Sequence, residues 1–145
     1  MFNINYCFYM PFITFLLISC SNEEIAKGLE VSNSDNTFTA RYFNVGSGGA
    51  VGTVTDFVNI QETGEDFDDS KNIIFRSAGA MSSMCLTWLG TDQLEIGISN
   101  HSFDKNKGDV IIGNTEINIS LVKVAKENCK GIYGSIQAYG KPFKK

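Results

Sequence analysis

From Thr37 onward the chain is written in short runs in which apolar residues recur at every second position, and each run is closed by Gly, Asn, Asp or Ser. A period of two places alternate side chains on opposite faces of an extended backbone, so such runs form half-buried β-strands. Phe38, Ala40 and Tyr42 alternate with Thr37, Thr39 and Arg41, Gly46-Ser47-Gly48-Gly49 turns the chain, and residues 53–60 alternate again. This pair predicts a hairpin. Further strands are predicted over 72–76, 85–89, 94–98, 109–112, 116–124 and 131–139, separated by an acidic turn at 62–70, a small-residue loop at 77–83, Gly90-Thr91-Asp92, a polar loop at 99–108 and Gly113-Asn114. No segment beyond residue 19 holds a sustained 3.6-residue period. The expected fold is therefore all-β, a single small antiparallel sandwich or partial barrel.

Length and composition agree with one such domain. The 145 residues are 43% hydrophobic and 19% charged, enough apolar material for a packed core. A net charge of −4 offers no general electrostatic grip on DNA or RNA, so nucleic acid is not an expected partner.

Residues 1–19 contain no charged side chain, and Glu23, Glu24, Lys27 and Glu30 follow at once. The apolar stretch Tyr6 to Ile18 spans about 13 residues, roughly 20 Å as a helix, whereas a bilayer crossing takes roughly 20 residues. That is the length of a signal-peptide apolar region. It closes on Leu17-Ile18-Ser19-Cys20, which resembles the lipobox of bacterial lipoproteins: a branched residue, a tolerant position, a small residue and cysteine. The resemblance implies that the Cys20 thiol receives a diacylglyceryl group, that cleavage after Ser19 makes Cys20 the first residue, and that the new N-terminus is acylated. A cysteine is needed because its thiolate is the available strong nucleophile. Two or three acyl chains, at about 0.8 kcal/mol per buried CH₂, would hold the domain firmly on a membrane. A cleaved secretory signal, an uncleaved anchor and a buried segment of the fold are the alternatives. The n-region departs from the family pattern in lacking Lys and Arg.

After Cys20 comes Ser21 rather than Asp, which under the lipoprotein sorting rule implies the outer membrane, and Asn22-Glu23-Glu24 resembles an acidic surface-export tag. Residues 20–35 read as a polar tether with at most one helical turn, and residues 36–145 as the β domain.

With Cys7 discarded and Cys20 lipidated, Cys85 and Cys129 remain, 44 positions apart. They form a disulfide if the fold brings them together in an oxidising compartment, and otherwise stay reduced, with one buried beside Met84 and Leu86. There is no C-x-x-C and a single histidine, so the ligands of a zinc or thioredoxin-like centre are missing.

The globular part also resembles a set of small bacterial lipoproteins with no assigned activity. The matching residues are Ser34, Asn36, Thr37, Phe38, Thr39 and Ala40, then Gly48-Gly49, then Trp88 with Leu94-Glu95-Ile96, covering roughly residues 32–98. This resemblance implies a mostly β domain on a lipid anchor and no catalytic residues.

Other motifs fall short of a chemistry. Gly46 to Gly52 lacks the Lys-Ser/Thr of a phosphate loop and precedes a strand rather than a helix. Asp104 to Asp109 misses an acidic calcium donor and carries two lysines, and the acidic run Glu62, Glu65, Asp66, Asp68 and Asp69 reads as a solvated loop. Ser102-x-x-Lys105 lacks the helix and the Lys-Thr-Gly of penicillin-binding enzymes, and His101 sits between Asn100 and Ser102 in a polar loop. Trp88, Tyr42, Phe43, Phe57 and Phe75 are expected in the core, whereas Tyr133, Tyr139 and Phe143 could mark a partner surface.

The function expected from sequence is a non-enzymatic envelope lipoprotein that binds a protein or cell-envelope partner, with no metal or cofactor. The alternative is an immunity-type or inhibitor lipoprotein that blocks a toxin or envelope hydrolase. An envelope hydrolase using carboxylates gathered by folding is the third reading.

Overall fold

The computed structural model describes residues 23–47, 53–78, 83–98 and 108–134. These form nine strands: β1 (Glu23–Ser32), β2 (Phe38–Ser47), β3 (Val54–Glu62), β4 (Ile73–Ala78), β5 (Met84–Trp88), β6 (Gln93–Ile98), β7 (Val110–Ile112), β8 (Thr115–Lys123) and β9 (Ile132–Gly134). A 3-10 turn at Lys126–Asn128 precedes β9. The protein is all-β, as its alternating runs predict. One sheet is the antiparallel meander β1-β2-β3-β4, and the other has the order β7-β8-β6-β5-β9. Neither closes into a barrel.

Two features depart from the expected antiparallel sandwich behind a tether. Residues 23–32 are not tether but strand β1, paired with β2 from Glu23↔Ser47 to Ser32↔Thr39 and broken by a bulge between Lys27 and Glu30. Charged residues suit an edge strand, whose second side has no ladder to join. Asn33 to Thr37 is the hairpin turn that follows. The Asn33 carboxamide oxygen accepts from the backbone N–H of Thr37 and Phe38, and Asn36 takes a positive φ of 60° that asparagine tolerates. The Thr37 hydroxyl, donating to Asp35, holds that carboxyl below its usual range. The second departure is that β6 and β8 are parallel, from Gln93↔Asn118 to Ile98↔Lys123.

The two sheets meet through one face each. Phe38, Ala40, Tyr42, Val58, Ile60, Ile74 and Phe75 of the first sheet pack on Met84, Leu86, Leu94, Ile96, Ile98, Ile112 and Ile117 of the second. Each fully buried side chain of this size contributes roughly 1.5–3 kcal/mol. Trp88 lies at the margin and ties the sheets together by donating its indole N–H to the Val31 carbonyl at 3.0 Å. The Asn33 amide does the same, donating to the Thr91 carbonyl at 2.7 Å.

The chain leaving β8 must pass β6 and β5 to reach β9. It does so over the outer face of the second sheet, where Gly97 leaves room: a Cβ there would lie 2.3 Å from Val124 Cγ1. Cys129 then joins Cys85, with Cα atoms 5.9 Å apart, inside the range a disulfide spans. Gly131 brings the chain down onto β5, since a Cβ there would lie 2.1 Å from the Leu86 carbonyl oxygen. The predicted last strand at 131–139 is thus seen at Ile132–Gly134, and the remainder lies outside the described residues.

Because the cross-link pins this crossing segment across 44 positions, reducing it releases a long loop in the unfolded chain. Unfolding in urea with and without a reductant is expected to show a stability loss of about 3–4 kcal/mol on the chain-entropy estimate. Identical midpoints under the two conditions would mean that the two thiols are not bonded in the purified protein.

Candidate functional site

The outward face of the first sheet is built in cross-strand rows. Register aligns Ile25, Val45, Thr55 and Ala78 in one row, and Lys27, Phe43, Phe57 and Arg76 in the next. A third row holds Glu30, Arg41, Asn59 and Ile73, and beyond it stand Ser32, Thr39 and Gln61. The second row therefore runs cation, aromatic, aromatic, cation across all four strands. Phe43 and Phe57 stack with centroids 5.3 Å apart, and the Arg76 guanidinium lies 5.8 Å from the Phe57 centroid. Tyr42 and Phe75 lie in the sandwich core as predicted and Trp88 packs against it, but Phe43 and Phe57 belong to this outer face. Phe43 is nonetheless fully buried.

What buries it is the acidic segment. Residues 62–72 keep most of their acidic side chains exposed, as a solvated acidic turn does, and the segment also folds back over the sheet as a strap. The Asn59 amide donates to the Asp68 carbonyl at 2.8 Å, the Gln61 amide donates to the Asp66 carbonyl at 3.1 Å, and Gln61 Oε1 accepts from the Asp68 backbone N–H at 3.1 Å. Gln61 Oε1 also accepts from Arg41 Nη1 at 3.0 Å and from the Asn59 amide at 3.3 Å. Phe67 then meets Phe43 edge to face at 5.1 Å, and the Lys27 ammonium sits 4.1 Å above the Phe67 ring. The signals available in sequence were an isolated Phe67 within the acidic run and the outward polar pair Asn59 and Gln61.

Two of the strap's acidic side chains, Asp68 and Glu65, bond within the segment itself. Asp68 accepts from the Ser70 hydroxyl at 2.6 Å and the Ser70 N–H at 2.9 Å, which keeps its carboxyl below the usual carboxylate range. Glu65 accepts from the Lys71 ammonium at 2.7 Å, which lowers the Glu65 carboxyl and raises the Lys71 ammonium. Among the described residues no three His, Cys, Asp or Glu side chains gather as metal ligands would.

Beside Phe57 the strap and sheet enclose an open depression of about 350 Å³. Val45, Thr55 and Phe57 form its floor, and Thr53, Asp69, Ser70 and Arg76 stand around it. Its chemistry is mixed: one guanidinium, one carboxylate, hydroxyls and an aromatic edge.

A second polar feature lies inside the sandwich. Asp56 is wholly buried and accepts from the Tyr42 hydroxyl at 2.8 Å. Burial, reinforced by this carboxylate, pushes the Tyr42 hydroxyl far above its ordinary pKa, so it stays a donor. Tyr133 is half-buried, hydrogen-bonded to Ser83 and overlain by Lys126 at 5.8 Å, rather than offered as a bare aromatic surface. Residues 1–22 with Cys20, the Gly48–Gly52 loop, His101, Ser102, Asp104, Lys105, Tyr139 and Phe143 lie outside the described residues.

Compared with protein-family models, curated proteins and solved structures, the chain matches none.

Two outcomes follow from the strap. Replacing Gln61 by Ala removes the common acceptor of Arg41, Asn59 and the strap backbone, and should lower stability by about 2–3 kcal/mol in urea unfolding. A change no larger than that of an exposed control such as Asn114→Ala would overturn the assignment. Asp68 and Glu65 have folded pKa values below their unfolded ones, so their contribution is complete above the ordinary carboxylate pKa and is lost as pH falls through the folded values. Amide exchange at Asp68 and Ser70 should therefore speed up, relative to Ile60, below about pH 4.

Proposed function

We propose that the protein is a lipid-anchored, non-enzymatic lipoprotein of the cell envelope, acylated on Cys20 and freed of residues 1–19, whose β sandwich binds an envelope or protein partner at the outer membrane. The observation that carries this reading is the uncharged apolar segment ending in Leu17-Ile18-Ser19-Cys20, followed three positions on by the first residue of β1. A strand that begins three positions after the cysteine suits an anchor at Cys20. Among the described residues no helix is long and apolar enough to cross a membrane. A binding role is supported by the outer face of the first sheet, where charged, hydroxyl and aromatic groups border one open depression.

The test is intact mass together with membrane fractionation of the wild type and Cys20→Ala. The wild type should sediment with membranes, and its mass should correspond to a chain beginning at Cys20 plus two or three acyl groups. Cys20→Ala should keep residues 1–19 and carry no acyl mass. A wild-type product that retains residues 1–19 without added lipid would refute the proposal.

A further inference from the structure

We infer that the depression on the outer face of the first sheet is a binding site for a neutral saccharide. Its volume of about 350 Å³ lies at the small end of the range of small-ligand pockets. Val45, Thr55 and Phe57 supply a floor that is apolar except for one hydroxyl, and the Phe57 ring is held from behind by Phe43, which is fixed in turn by Phe67. The floor is thus preformed.

The polar groups around it select the ligand. Arg76 and Asp69 stand on the same depression, and neither makes a side-chain hydrogen bond or ion pair to a described residue. An anionic ligand that pairs with Arg76 would face the Asp69 carboxylate, and a cationic one that pairs with Asp69 would face the guanidinium. A wholly apolar ligand would strip water from both charges and return no hydrogen bond. A sugar ring meets all of these demands. Its hydroxyls accept from the guanidinium and donate to the carboxylate, forming the charge-assisted bonds that outweigh neutral ones, while its C–H face covers Val45 and Phe57. The Ser70 hydroxyl donates to Asp68, which leaves its oxygen free to accept from a further sugar hydroxyl. This assignment names the chemistry of the envelope contact proposed above and rests on that reading only for where the saccharide is met.

The experiment is an amide-resolved NMR titration of the full chain, in a detergent without a sugar headgroup. The probes are glucose, galactose, N-acetylglucosamine and the β-1,4 dimers cellobiose, lactose and chitobiose, with glucose 6-phosphate and glucosamine as charged comparisons. At least one neutral probe, at concentrations up to about 20 mM and so well above a millimolar Kd, should give saturable shifts at Thr55, Phe57, Ser70 and Arg76. Arg76→Gln and Asp69→Asn should each weaken that binding about tenfold or more while leaving amides of the sandwich core unshifted. Silence from every neutral probe, binding that survives both variants, or binding of a charged probe alone would overturn the site. Because the same sample's intact mass reports acylation at Cys20, a silent titration of an acylated protein rejects the saccharide site and leaves the anchor standing.

Discussion

The side-chain amide of Gln61 is the point on which the outer half of the molecule depends. Strands β2 and β3 are the inner strands of their sheet, and both of their faces are covered, so Arg41, Asn59 and Gln61 are buried although they point away from the apolar core. Burying such groups without partners costs roughly 1–3 kcal/mol each. The strap has the complementary problem, since its backbone N–H and C=O groups join no ladder where they lie against the sheet. Gln61 answers both at once: its oxygen receives Arg41, Asn59 and the Asp68 N–H, and its nitrogen reaches the Asp66 carbonyl. Once the strap is docked there, Phe67 falls on Phe43, while Asp69 and Ser70 fall beside the depression. Asp69 and Ser70 are thus placed beside the depression by a hydrogen-bond constraint at Gln61, two rows beyond Phe57.

The second sheet meets the same topological demand with a covalent bond. Its chain crosses the outer face from β8 to β9 using Val124 seated over Gly97 and the Cys85–Cys129 link, where the first sheet uses hydrogen bonds and an aromatic contact. The difference follows from what each crossing segment carries. The segment after β8 offers Val124 and Ala125 and then turns polar, too little apolar surface to hold it in place, whereas the strap brings Phe67 and two well-directed backbone carbonyls.

Most of the strand content was legible because the core faces of β2, β3, β5, β6 and β8 alternate cleanly between turn residues. Strand β1 was not, for two physical reasons. As an edge strand it bears Glu23, Glu24, Lys27 and Glu30, which read as tether composition, and the bulge between Lys27 and Glu30 shifts the period before Leu29 and Val31 can declare it. Leu29-Glu30-Val31-Ser32 followed by Asn33 and Asp35 was the readable remnant. The parallel pairing of β6 and β8 leaves no local trace, because register between distant strands is decided by packing. The outer site was hidden by the same alternation that revealed the strands: Phe43 and Phe57 look like core aromatics until Phe67 shows that the opposite face is covered too. Asp69 and Arg76 carry no pattern at all and are joined only by the fold.

Moving the start of the domain from residue 36 to residue 23 changes what an anchor at Cys20 would do. A tether of 16 residues could let the domain wander some 50 Å from its attachment, at about 3.3 Å per extended residue, whereas the three steps from Cys20 to Glu23 allow about 10 Å. Glu23 pairs with Ser47, Gly46 with Val54 and Thr55 with Ala78, so this end of the sheet is also the end at which Val45, Thr53 and Thr55 border the depression. An anchor there holds the outer face beside the bilayer instead of presenting it to a distant partner. The strap lies on the same face, with Asp68 bonded to Ser70 and Glu65 to Lys71, and Arg76 and Lys27 are the cations of the aromatic row beneath it. With an anchor at Cys20, a short leash and a depression at the leashed end would together favour ligands that are themselves fixed at the envelope surface, because only those would remain within reach.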